Sequence, residues 1–169
     1  SIPATCFPPA ATFACSYDND LIESVGSCIA KECKNYDVDI LLGPGFNIKR
    51  SPLCGRNFEY YSEDPYVCAS LASSFVKGVQ KEGVGACVKH YAVNSQENFR
   101  LTIDSTVDER ALREIYLRGF EIAVKEADPW TVMSSYNLIN GQHTSESYEL
   151  LTGILRDEWG YTGMVVTDW

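Results

Sequence analysis

Apolar and polar positions switch between two periods along the chain, and the switches mark a run of alternating helices and strands. In residues 20–34, Leu21, Val25, Cys28 and Ala30 make one apolar stripe at helical spacing. Asp20 and Glu23 have the spacing of a capping box at its start. Val38, Ile40, Leu41 and Leu42 predict a short buried strand, stopped by Gly43-Pro44-Gly45. A polar loop over residues 46–62 follows. Asp64-Pro65 opens the next helix, because Asp caps and Pro suits the first helical position. That helix runs to about Lys81 and ends at Gly83 and Gly85.

Residues 85–88 predict the second strand, which ends on Lys89-His90-Tyr91 before another polar loop. Thr106 and Glu109 give a capping box for a helix through about Lys125, with Arg110 and Glu114 paired one turn apart. Residues 130–134 form the third strand, ending on Tyr136-Asn137. Ser145 and Glu146 open a fourth helix with Leu150, Leu151, Ile154 and Leu155 on its apolar face. Residues 164–167 form a fourth strand that delivers Asp168-Trp169.

Such alternation, with near-continuous apolar strands, implies a parallel sheet covered by helices. Gly43-Pro44-Gly45 lacks the spacing of a phosphate-binding glycine loop, so a nucleotide site is disfavoured. A (β/α)8 barrel of the TIM type is preferred over an open sheet. A closed barrel takes about 250 residues, and this sequence has 169. Residues 1–169 are therefore expected to be a single incomplete domain, an α/β barrel truncated at both ends.

Composition narrows the partners. The formal charge of −9 disfavours nucleic acid, whose phosphates it would repel, and no basic cluster offsets it. No apolar run is long enough to cross a bilayer, and residues 1–5 do not resemble a signal peptide. The seven cysteines form neither a CxxC pair nor a compact framework, and only His90 and His143 are available to join them on a metal. Buried thiols in a reducing, cytoplasmic compartment are the expectation, with no metal and no cofactor.

All four strands end in chemistry. The first leads to Arg50 and Arg56, the second to Lys89-His90, the third to Tyr136-Asn137 and the fourth to Asp168-Trp169. In a β/α barrel these ends share one face, where the active site lies. Flanked by Arg, Lys and His, Asp168 is expected to stay ionised and to suit a nucleophile, with Trp169 as a flat wall for a sugar ring. Each residue has a plainer alternative. Lys89-His90 reads also as solvated surface, Arg56 as the loop partner of Glu59 or Glu63, Tyr136 as a packed aromatic and Asp168 as a helix cap.

Five segments decide between these readings. Residues 55–65 (GRNFEYYSEDP), 89–97 (KHYAVNSQE), 109–116 (ERALREIY), 133–137 (MSSYN) and 166–169 (VTDW) closely resemble glycoside hydrolase family 3, in order and over nearly the whole chain. The resemblance implies a retaining mechanism on a barrel, with Asp168 as nucleophile. It implies that Arg56, Lys89 and His90 hold sugar hydroxyls and that Met133, Tyr136 and Trp169 line the same subsite. A Phe-Pro-Gly-His-Gly type of loop, found in relatives that release N-acetylglucosamine, is replaced by Tyr91-Ala92-Val93-Asn94. The pattern is similar to the β-glucosidase branch, with β-xylosidases as neighbours. A family Asp that grips the sugar is expected upstream of Ser1. The acid/base Glu is expected from a later, C-terminal domain of the parent chain. Thr167 stands where Ser is common. The implied substrate is a β-glucoside or short oligosaccharide, and the chain alone is expected to be nearly inactive.

Overall fold

The computed structural model describes residues 2–169. Its centre is a four-stranded, wholly parallel sheet of β1 (Ile40–Leu41), β2 (Gly85–Tyr91), β4 (Thr131–Ser134) and β7 (Met164–Val166), adjacent in that order. Each strand is laid beside its predecessor without reversal. A doubly wound sheet reverses strand order at its switch point, whereas a barrel adds strands one way round, so the order is that of barrel winding. The barrel is not closed: β1 and β7 are the sheet's two outer strands. At one of these edges Met164 is exposed and Val165 and Val166 are half-buried, where the apolar run predicts a fully buried strand.

The helices lie on this sheet. After a short turn of helix, α1 (Ala10–Ala14), comes α2 (Asn19–Asn35), which packs on α3 (Pro65–Lys81); α3 in turn packs on α5 (Arg118–Ala127). The first two approach closely. A Cβ on Gly78 would stand 2.0 Å from the Glu23 carbonyl oxygen, and one on Gly26 would stand 2.5 Å from that of Phe75. Asp18, rather than Asp20, caps α2 by accepting the Leu21 N–H, while Asp64 caps α3 through Val67 as its sequence predicts. Asp108, two residues past Thr106, caps α4 (Glu109–Ala111) through the Ala111 N–H. Between α4 and α5 the chain widens into a π-helical segment, Leu112–Tyr116, marked by the Leu117 N–H reaching the Leu112 carbonyl. The fourth helix, Glu149–Glu158, is π-wound and follows a 3-10 turn at Thr144–Glu146. No helix is long and apolar enough to cross a membrane among the described residues.

One core joins these layers. Phe46 and Phe120 stack at 4.5 Å between ring centroids, and Tyr91 meets Phe120 at 5.3 Å and Trp159 at 6.0 Å. The Tyr91 hydroxyl is satisfied by donating to the Leu150 carbonyl at 2.9 Å, as a buried phenol requires. All seven cysteines are free, with Cys33, Cys54, Cys68 and Cys87 buried and Cys6, Cys15 and Cys28 exposed.

Two features depart from the sequence pattern and both shape the site. Gly43-Pro44-Gly45 does not end the pairing of β1. The Gly43 and Pro44 carbonyls accept from Cys87 and Lys89, and the Phe46 N–H donates to the Lys89 carbonyl. Proline lacks a donor but keeps its acceptor, so the ladder continues. The second is a small sheet of β3 (Asp104–Ser105), β5 (Leu138–Ile139) and β6 (Gln142–His143). Its hairpin turns at Asn140 and Gly141, both at positive φ, as a type I′ two-residue turn requires. The Asn140 amide exchanges two hydrogen bonds with the Val107 backbone, tying hairpin to loop.

Candidate active site

Backbone pairing places the site. Because the ladder runs on past β1, Asn47 lies beside His90, where its side chain accepts from the His90 N–H at 2.7 Å and donates to the His90 carbonyl at 2.8 Å. The residue at the end of β2 is thus held on both backbone groups. His90 is 1% exposed, which excludes the solvated-surface reading. Its Nε2 stands 3.7 Å from Oδ2 of Asp168, just beyond β7, and has no hydrogen-bond partner among the described residues.

Three cations surround this pair. Lys89 reaches Glu59 Oε2 at 3.5 Å, and Arg56 ion-pairs through its Nε with the other oxygen of the same carboxylate. The loop reading of Arg56 therefore holds, with Glu59 rather than Glu63, and it does not remove Arg56 from the site. Glu59 gathers both cations beside Asp168. Arg100 completes the set, pairing with Glu97 at 3.2 Å and lying 4.9 Å over the Tyr136 ring. Tyr136 is therefore a stacked aromatic at the site rather than a core residue.

Two opposing effects act on Asp168. Burial pushes the Asp168 carboxyl above its ordinary value, and the pull of Arg56, Lys89 and Arg100 opposes that without cancelling it. His90 adds no charge: burial, with those same cations, drives it down to about 2, so the ring is neutral. Asp168 is held among fixed cations and a neutral donor.

Of the other expected residues, Met133 on β4 is buried, while Trp169 is 79% exposed. Trp169 lines, with Ser134, Tyr136, His143 and Asp168, a hollow of about 370 Å³. The Ser134 hydroxyl beside it is buried and has no hydrogen-bond partner among the described residues. Arg50 is not brought in; it is exposed and borders a separate hollow with Lys49, Glu63 and Tyr116. Sequence patterns pass over Asn47, Tyr60, Asn94, Glu97 and Arg100 as site residues. Three of these fall inside the segments that carry the resemblance, Tyr60 in 55–65 and Asn94 and Glu97 in 89–97, so the signal was present but carried no role. No group of three or more His, Cys, Asp or Glu side chains able to hold a metal occurs among the described residues.

Three cations act on one half-buried carboxylate that faces a neutral imidazole, chemistry able to meet a neutral polyhydroxyl ligand. The family profile described as "Glycosyl hydrolase family 3 N terminal domain" matches residues 2–169. The chain belongs to glycoside hydrolase family 3. It is 60% identical, over its whole length, to thermostable beta-glucosidase B of Acetivibrio thermocellus, and spans 22% of that relative. It is 54% identical to an exo-alpha-(1->6)-L-arabinopyranosidase of Bifidobacterium breve, again over 100% of the chain and 22% of the relative. Beta-glucosidase 3B from Thermotoga neapolitana, solved in complex with glucose, superposes with a TM-score of 0.97 at 56% identity. The match covers 98% of this chain and 23% of that one. The family 3 chain described here thus corresponds to about a fifth of its relatives' length.

Proposed function

We propose that the protein carrying this family 3 segment is a retaining, exo-acting β-glucosidase that removes terminal non-reducing β-D-glucosyl residues, with Asp168 as nucleophile. The observation that carries this reading is the Asp168 carboxylate set at the end of β7, opposite His90 and within the field of Arg56, Lys89 and Arg100. Asp168 attacks the anomeric carbon as the leaving oxygen takes a proton, and water then releases the sugar from the covalent intermediate. Arg56, Lys89 and His90 hold hydroxyls; Met133, Tyr136 and Trp169 shape the subsite.

The proton donor is a Glu from a C-terminal domain outside residues 1–169, which form one incomplete domain of the parent's barrel. Glu59 and Glu97, which lie beside the same cations, are both occupied by ion pairs with them and so are not free to meet a leaving oxygen. The 169-residue chain by itself should accordingly show negligible turnover.

A second reading, a pentosidase or broad β-glycosidase, is favoured by the arabinopyranosidase relative. The deciding experiment compares kcat/KM of the intact protein on aryl β-D-glucoside, β-D-xyloside and α-L-arabinopyranoside, with the anomer of the first-formed product followed by NMR. Preference for glucoside with retained configuration is expected. Preference for a pentoside moves the assignment to the second reading, an inverted product removes the nucleophile, and binding without turnover leaves a sugar-binding remnant.

A further inference from the structure

We infer that Tyr60, oriented by Asn94 and Glu97, is a positioning residue that locks His90 in the Nε2–H tautomer, so that the ring can only donate into the sugar site. The inference rests on the reading of His90 as a hydroxyl-binding residue and goes beyond it by naming what sets its proton.

The direction of every bond in the chain follows from one carboxylate. Glu97 is ion-paired with Arg100 at 3.2 Å, and an ionised carboxylate only accepts. The Asn94 amide atom 3.2 Å from Glu97 Oε1 must therefore be its NH2, which fixes an amide whose two ends are otherwise hard to tell apart. The same NH2 lies 3.1 Å from the Tyr60 hydroxyl oxygen and donates its second hydrogen there. Among the described residues His90 Nδ1, at 3.1 Å, is then the one acceptor left for the buried Tyr60 O–H, which donates to it. Nδ1 is then the acceptor and the single ring proton of neutral imidazole sits on Nε2.

Burial removes the alternatives. Tyr60 is 0% exposed, His90 1% and Asn94 5%, so water has little chance to compete for these groups. Burial also raises the Tyr60 phenol above its ordinary value, which keeps its proton in place. At the far side of the ring, Nε2 faces Asp168 Oδ2 at 3.7 Å. A lone pair there would confront a carboxylate oxygen, whereas an N–H is attracted to it. Both ends of the ring thus select the same tautomer. The consequence is a neutral donor beside the nucleophile, which orients a hydroxyl oxygen without adding a charge to the three cations already present.

The test is a cycle in the intact protein. Tyr60→Phe removes the hydroxyl and keeps the ring, and should lower kcat/KM by about tenfold, the scale of one buried hydrogen bond. In a His90→Gln background the glutamine NH2 takes the place of Nε2–H and donates with or without Tyr60. There Tyr60→Phe should cost less than about twofold. Equal losses in both backgrounds would overturn the inference and assign Tyr60 a packing role only. His90→Ala without effect on kcat/KM would instead overturn the reading of His90. Neutron diffraction from the unmodified protein then decides the tautomer independently: deuterium on Nε2 supports the inference, and deuterium on Nδ1 refutes it.

Discussion

The two halves of β2 are one continuous strand with opposite chemistry. In the first, Ala86 and Val88 are completely buried in the apolar core, and the Trp130 ring lies 2.6 Å from where a Cβ on Gly85 would be. Immediately after it Lys89 and His90 are also withdrawn from water, but among polar groups, and His90 Nε2 finds no hydrogen-bond partner among the described residues. Burial at the first half stabilises the fold. At the second it costs stability, about 1–3 kcal/mol for each unpartnered polar group, and prepares donors for a ligand. Burial alone therefore does not identify a core residue in this sheet; the partner of each polar atom does.

The contrast can be broken at either end. Asp168→Ala in the intact protein should lower kcat/KM by about four orders of magnitude, the scale of losing a nucleophile, while the melting temperature stays unchanged or rises as a desolvated carboxylate is removed. A collapse in stability would make Asp168 structural. Phe120→Ala should do the reverse: it opens the stack with Phe46 and Tyr91 and should cost about 3–5 kcal/mol of unfolding free energy.

Lys89→Met probes the polar half through pH. Burial has already raised the Asp168 carboxyl, and Lys89 is one of the charges restraining it. Removing that cation should raise it further, so the acid limb of kcat/KM moves to higher pH by up to about one unit. An unmoved or lowered limb would show that Lys89 does not act on Asp168. The smallest effect belongs to Glu114→Ala. Its pair with Arg110 at 3.1 Å is exposed on both sides, and its loss should change stability by less than about 0.5 kcal/mol in a thermal melt.

The same contrast explains what the sequence discloses. Apolar halves of strands write themselves as runs such as residues 85–88 and 164–167, and each run delivers the residues after it, which is why Lys89, His90 and Asp168 stand out. Tyr60, Asn94 and Arg100 reach the site from long loops, and no period in a loop says where a side chain will point. Asp18 rather than Asp20 caps α2 because the cap depends on which residue leaves the helical conformation, and both are aspartates. The hairpin around Asn140-Gly141 carried a recognisable turn dipeptide, but its strands are two residues each, too short to show alternation. Adjacent cations are visible in a sequence, whereas the burial that raises the Asp168 carboxyl against their pull is not.

The most direct test of the account is covalent. The intact protein is exposed briefly to 2-deoxy-2-fluoro-β-D-glucosyl fluoride, digested and examined by mass spectrometry. The fluorine at C2 slows both steps, and the fluoride leaves without needing the acid, so the glycosyl-enzyme accumulates. The account predicts one fluoroglucosyl adduct, on the peptide that carries Asp168. An adduct on another carboxylate, or turnover with no adduct and inverted product, would contradict it.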